Sequence, residues 1–90
     1  MAAKKQSDEH VVFGRAVKEF RARRDLSQEQ FGRQASLHRN YVGAIERGEI
    51  NPTLRVMLKI ARGLEAPLSE LIVLFEARRD EAVPELRRRT

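Results

Sequence analysis

The feature that most restricts this chain is a three-residue interruption, Ser36-Leu37-His38, set between two stretches that both read as short helices. Ahead of it, Ser27-Gln28-Glu29-Gln30 has the form of a capping box. The serine hydroxyl can accept from the third amide of the helix while the glutamine reaches back to the cap, and Leu26 and Phe31 stand where a hydrophobic staple would place them. A helix from about Gln28 to Ala35 is predicted. Behind the interruption a second helix is expected from roughly His38 to Arg47, with Gly48 ending it because glycine takes the left-handed turn that closes many helices. Two short helices on a turn this tight form a helix-turn-helix.

The flanking segments supply the rest of a helical domain. Phe13, Ala16, Val17 and Phe20 recur at i, i+3, i+4 and i+7, one apolar stripe on a first helix. Residues 15 to 24 hold five cations (Arg15, Lys18, Arg21, Arg23, Arg24) against Glu19 alone, so +4 of the chain's net +5 lies here and the face is expected to see phosphate. After the loop and cap Asn51-Pro52-Thr53, a fourth helix shows Leu54, Met57, Leu58, Ala61 and Leu64 on one side. Pro67 can open a fifth helix as its first residue. There Leu68, Leu71, Ile72 and Phe75 face the core, leaving Val73 and Leu74 outside the stripe. The expected fold is all-α, a five-helix bundle, with residues 1–9 a flexible arm, 10–79 the helix-turn-helix domain and 80–90 a charged tail interrupted by Pro84.

Composition removes several function classes. Ninety residues build one modest core. With no cysteine, and His10 and His38 as the only histidines, there is neither a disulfide framework nor a credible zinc ligand set, so no metal or cofactor is expected. His38 is read as a packing or capping residue. No nucleophile sits beside an evident base and no glycine-rich phosphate loop is present, which argues against an enzyme. The first nine residues lack the apolar core of a signal peptide, and the run Leu71 to Phe75 is too short to span a bilayer, so a cytoplasmic protein without membrane association is expected. A positive net charge favours a polyanionic partner.

Winding the third helix at about 100° per residue separates two faces. Tyr41, Val42 and Ile45 fall on one, with Glu46 at its edge; Arg39, Asn40, Gly43, Ala44 and Arg47 fall on the other. Hydrogen-bonding side chains at one end, small residues in the middle and a cation at the far end suit a helix that enters the major groove.

These residues resemble a known family. Leu26-Ser27-Gln28-Glu29-Gln30-Phe31, then Leu37 through Gly48, then Asn51-Pro52-Thr53-Leu54, Lys59-Ile60-Ala61 and Leu68-Ser69-Glu70-Leu71 are similar, in order and spacing, to the Cro and phage-repressor (XRE-like) helix-turn-helix domain. The likeness covers about residues 13 to 75 and is greatest, in size and in His38-Arg39-Asn40-Tyr41, to the controller proteins of restriction–modification systems. It implies a lambda-repressor-like fold and a transcriptional regulator of double-stranded DNA. By position it implies base reading by Arg39, Asn40 and Ala44, phosphate contacts from Gln28, Arg47 and Gly48, and an ion pair of Arg21 with Glu46. Tyr41 is expected in the core with its hydroxyl reaching outward to a phosphate. The chain departs from the pattern at Gly32, where alanine is usual and about 1 kcal/mol of helix propensity is lost, and at Ser36, which replaces a turn glycine. Ala44 offers no hydrogen bond, which shifts base selection onto Arg39 and Asn40.

One such helix reads only a few base pairs, so a homodimer on an inverted repeat is expected, with Val73 and Leu74 covered by their own copies. The alternative from the same fold is an antitoxin-like module, in which Val73, Leu74 and the charged tail grip a different protein and DNA binding is secondary. RNA is disfavoured because no aromatic stacking surface accompanies the basic face.

Overall fold

Local hydrogen bonds set the helix boundaries in a computed structural model, which describes residues 8–82. The five helices are α1 (Asp8–Arg23), α2 (Gln28–Ala35), α3 (Arg39–Glu46), α4 (Leu54–Leu64) and α5 (Leu68–Ala82). The capping box forms as expected: Ser27 Oγ accepts from the Gln30 amide at 3.0 Å, and Gln30 Oε1 accepts from the Ser27 amide at 2.8 Å. Thr53 Oγ1 caps α4 by accepting from the Val56 amide at 3.2 Å. Ser36, in place of the glycine of the resembled pattern, adopts the left-handed conformation at φ 59°, which costs a non-glycine residue about 1 kcal/mol. The two termini of the domain differ from expectation. Helix α1 begins at Asp8, where Asp8 and Glu9 place acids in the first turn, and α5 runs to Ala82. The remainder of the expected arm and tail lies outside the described residues.

Helix α1 packs against α3 and α5, α2 packs against α3 and α4, and α4 meets α5. Their inward faces join in one core, in which Phe31, Val42, Ile45, Ile60, Leu64 and Leu71 are fully buried. Two close approaches fix how the helices sit. A Cβ on Gly14 would collide with the Ile45 carbonyl oxygen and lie 2.7 Å from that of Glu46, so α1 lies directly on the end of α3. Gly32, read above as a cost in helix propensity, is required by contact, because a Cβ there would stand 2.5 Å from the Leu37 carbonyl oxygen of the turn.

The stripe of α4 is rotated from the expected one. Leu54 and Leu58 are exposed, while Ile60, Ala61 and Leu64 are buried and Val56 and Met57 pack half-buried against the core. Helix α2 turns α4 this way by seating Phe31 and Ala35 against Gly63, where a Cβ would lie 2.7 Å from that of Ala35. On α5, Leu71 is buried; Leu68, Ile72, Phe75 and also Leu74 are partly buried against the core. Leu74 is thus half inside, and Val73, 65% exposed, is the apolar side chain that α5 leaves in solvent.

Polar contacts lock this packing. Glu46 is buried to 3% side-chain exposure and Arg21 to 14%, with Arg21 Nε donating to Oε2 at 2.6 Å and Nη2 to Oε1 at 3.0 Å. Arg21 Nη1 also donates to the Leu26 carbonyl at 2.7 Å. At the other side of α1, Arg78 of α5 forks onto Glu19 at 2.8 and 2.7 Å, and Arg23 adds a third donor at 2.7 Å. The Arg78 guanidinium, aided by Arg23, pulls the Glu19 carboxyl down to about 2. Arg24 donates to the Glu65 carbonyl at 3.3 Å and lies over the Phe20 ring. The basic cluster of α1 is therefore not one phosphate-facing surface, since three of its five cations are engaged within the domain.

Two stability predictions follow from these contacts. Glu46→Ala strands a largely buried guanidinium, a loss of about 3–5 kcal/mol that in a domain of this size lowers the melting temperature by roughly 10 °C or more. Thermal melting monitored by circular dichroism measures it, and an unchanged Tm would refute the role given to the pair. Glu19 titrates at about 2 in the fold against an ordinary value of 4.5. Its pairing stabilises the fold fully above pH 4.5 and is lost as the pH falls towards 2. The Tm gap between wild type and Glu19→Gln should be constant near neutrality and close progressively over that acid range. The gap is modest because the pair is about one-third exposed.

Candidate nucleic-acid interface

Helix α3 starts on a side chain that the sequence left undecided. His38 Nδ1 accepts from the Asn40 amide at 2.9 Å, so His38 is the cap and the Asn40 side chain is left to other partners. Arg39 and Asn40 are both exposed at the N-terminal end of α3, and Ala44 is half-buried one turn further on. Tyr41 packs partly buried against the core, while Val42 and Ile45 lie within it. Gly43, expected on the outward face, is buried. A Cβ on it would meet Arg47 Nη1 at 3.1 Å and the Gln28 amide at 3.7 Å, because those two side chains close over it.

Gln28 opens α2 beside α3, and its Nε2 donates to Glu46 Oε1 at 2.9 Å. Glu46 thus takes donors from α1 and from α2 while belonging to α3. This orients the Gln28 amide, whose second hydrogen remains for another acceptor. Beyond the end of α3, Gly48 makes the turn at φ 79° with the backbone of Val11 packed against its α-carbon. Gln28, Arg39, Asn40, Ala44 and Arg47 thus come from the facing parts of α2 and α3 and the end of α3. Val73 and Leu74 belong elsewhere, on α5, where with Phe20, Arg23, Ser69, Glu70 and Ala77 they line a shallow groove of about 400 Å³.

Sequence reading missed the acids of this surface. Glu49 accepts from Arg47 Nε at 2.8 Å and Nη2 at 3.2 Å, and this partner holds the Glu49 carboxyl below its usual range. Glu29 lies 3.4 Å from Arg33 and 3.9 Å from Arg39. The i, i+4 spacing of Glu29 and Arg33 was a readable signal. The Arg47–Glu49 contact bends around Gly48, and no helical spacing announces it. No cluster of metal-ligating side chains occurs among the described residues, and none of their helices is long and apolar enough to cross a membrane.

Known proteins share this fold and much of its sequence. The family profile described as helix-turn-helix matches residues 17–71. The control protein C.MunI of Mycoplasma sp is 42% identical over 66 residues, spanning 72% of this chain and 89% of that one. The control protein C.BamHI of Bacillus amyloliquefaciens is 33% identical over 63 residues, 69% of this chain and 78% of that one. Among solved structures, the restriction–modification controller protein C.AhdI from Aeromonas hydrophila superposes with a TM-score of 0.70 at 38% identity, covering 72% of this chain and 98% of that one. With its three-residue turn, its capped second and third helices and these relatives, the chain belongs to the helix-turn-helix family of Cro-like and phage-repressor-like regulators.

Proposed function

We propose that this protein is a sequence-specific DNA-binding transcriptional regulator, acting as a dimer on an inverted-repeat operator with α3 in the major groove. The observation that carries the reading is the face of α3. Arg39 and Asn40 project at its open end, Ala44 leaves room for close approach, and the buried Glu46 holds the helix rigidly to α1 and α2. Arg39 suits the two acceptors of guanine, Asn40 suits adenine, and Ala44 can touch a thymine methyl. The oriented Gln28 amide, Tyr41 and Arg47 contact phosphates on either side of the groove, while Gly48, expected to join them, is buried with its amide on the Ile45 carbonyl and shapes the turn instead. The two control proteins and the controller structure favour the same role here, regulation of a restriction–modification gene set. It is a cytoplasmic binding protein, not an enzyme, with a binding domain that takes in the five helices from Asp8 to Ala82.

Dimerisation is assigned to α5. Val73 is exposed beside a shallow apolar groove that includes Leu74 and Phe20, and a two-fold copy would cover both. The pairing should set the two α3 helices about 34 Å apart, matching half-sites ~10 base pairs apart centre to centre.

Binding to a duplex selected from a random library, compared with a scrambled duplex, tests the contacts. Arg39→Ala should cost roughly 1–3 kcal/mol on the selected duplex and little on the scrambled one. Arg47→Ala should weaken binding to both and flatten the dependence of log K on log salt by about one unit. Equal losses on both duplexes for Arg39→Ala would reassign it to the backbone.

Val73→Glu should sediment as a folded monomer and lose most affinity for the selected duplex. A wild-type protein that is monomeric at tens of micromolar, with and without DNA, would refute the dimer and bring the protein-partner reading forward.

A further inference from the structure

Two arginines of the α3 surface are equally exposed, each at 61% of the side chain, yet they are held differently. The nearest carboxylate to Arg39 is Glu29, with 3.9 Å between Nη1 and Oε1, beyond hydrogen-bonding distance. Arg47 is bound fork to fork: Nε and Nη2 donate to the two oxygens of Glu49 at 2.8 and 3.2 Å. Its remaining nitrogen, Nη1, is folded back over Gly43. The side chain placed to read bases stands open, and the one placed to grip phosphate is already gripping an oxyanion.

A carboxylate and a phosphate offer an arginine the same two-oxygen edge. Replacing one by the other at an exposed site is therefore close to balanced, and the outcome depends on how firmly the phosphate is presented. On a selected site, Arg39 and Asn40 fix the register, so one phosphate is held opposite the end of α3. On an arbitrary sequence the protein slides and hops, and no phosphate is held there for long. We propose that Glu49 is a specificity-determining residue of this regulator. It competes with the DNA backbone for Arg47 and gives the arginine up more completely when base contacts have fixed the register. The inference rests on the assignment of Arg47 to phosphate made above. Because Arg47 in turn holds the Glu49 carboxyl below its usual range, the acid stays ionised throughout the neutral range and the competition does not switch with pH there.

A double-mutant cycle on the full chain tests this, using wild type, Glu49→Gln, Arg47→Ala and the combined variant. Thermal melting first confirms that all four are folded, and each is titrated with the selected and the scrambled duplex over a range of salt. Glu49→Gln should tighten binding to the scrambled duplex by about two- to fivefold, the scale of an exposed ion pair. The selected duplex should gain less, so the ratio of affinities falls. Arg47→Ala should cost more on scrambled DNA in the Glu49→Gln background than in wild type, because only there is the arginine fully available. If Arg47→Ala costs the same factor in both backgrounds, Glu49 acts only as a general negative charge and the proposal fails while the phosphate assignment stands. If Arg47→Ala costs nothing in either background, the phosphate assignment itself fails and takes the proposal with it. An unchanged ratio in Glu49→Gln also overturns it.

Discussion

The geometry of this protein turns on one buried carboxylate. Glu46 is the last residue of α3, and it is ligated by Arg21 of α1 and Gln28 of α2. Burying a charge costs several kcal/mol, and the attraction of its partner roughly offsets that cost. The net effect on stability is therefore less informative than the effect on direction. A hydrophobic residue at this position would hold α3 against the core with some freedom to rotate about its axis. A carboxylate with three fixed donors admits far less. The bond from Arg21 to the Leu26 carbonyl extends the same constraint to the loop ahead of α2. A helix that reads base edges needs that rigidity, because discrimination between bases depends on hydrogen-bond geometry.

Where the cations end up is the second consequence of the packing. Counted along the chain, the basic residues of α1 look like one surface for a polyanion. In the fold, Arg21 is inside, Arg23 joins Arg78 on Glu19, and Arg24 lies against Phe20 and the end of α4. Net charge still attracts DNA at a distance. The groups of α1 left to touch it are fewer, and at α3 even Arg47 is shared with Glu49. Such a surface favours a binding mode in which base contacts matter, since a protein with many uncommitted cations binds any duplex well.

Much of this was legible in the sequence because it is local. The capping box at Ser27, the length of α2, the left-handed turn at Gly48 and the stripe on α1 depend on residues within four positions of each other. Those interactions recur in any chain with that spacing. The Arg21–Glu46 pair spans 25 residues and was reached through family resemblance, not through spacing. Local reading went astray where two elements press together. It counted the helix-propensity cost of Gly32 but not the turn's Leu37 carbonyl, which leaves no room for a side chain, and it placed Gly43 on the outward face without the roof that Arg47 and Gln28 build over it.

The sequence by itself determined that the chain is helical and, to within a residue, where α2 and α3 begin and end, because apolar period, caps and turn length are properties of neighbouring residues. Tertiary structure alone decided which face of each helix is used. An amphipathic stripe allows a range of rotations, and contact at Gly63 chose the one that exposes Leu54 and Leu58 on α4. It decided that Leu74 is half inside and Val73 outside. It also brought Arg21 to Glu46 and Arg78 to Glu19, since pairing between residues distant in sequence depends on a few ångströms that only the packed helices supply.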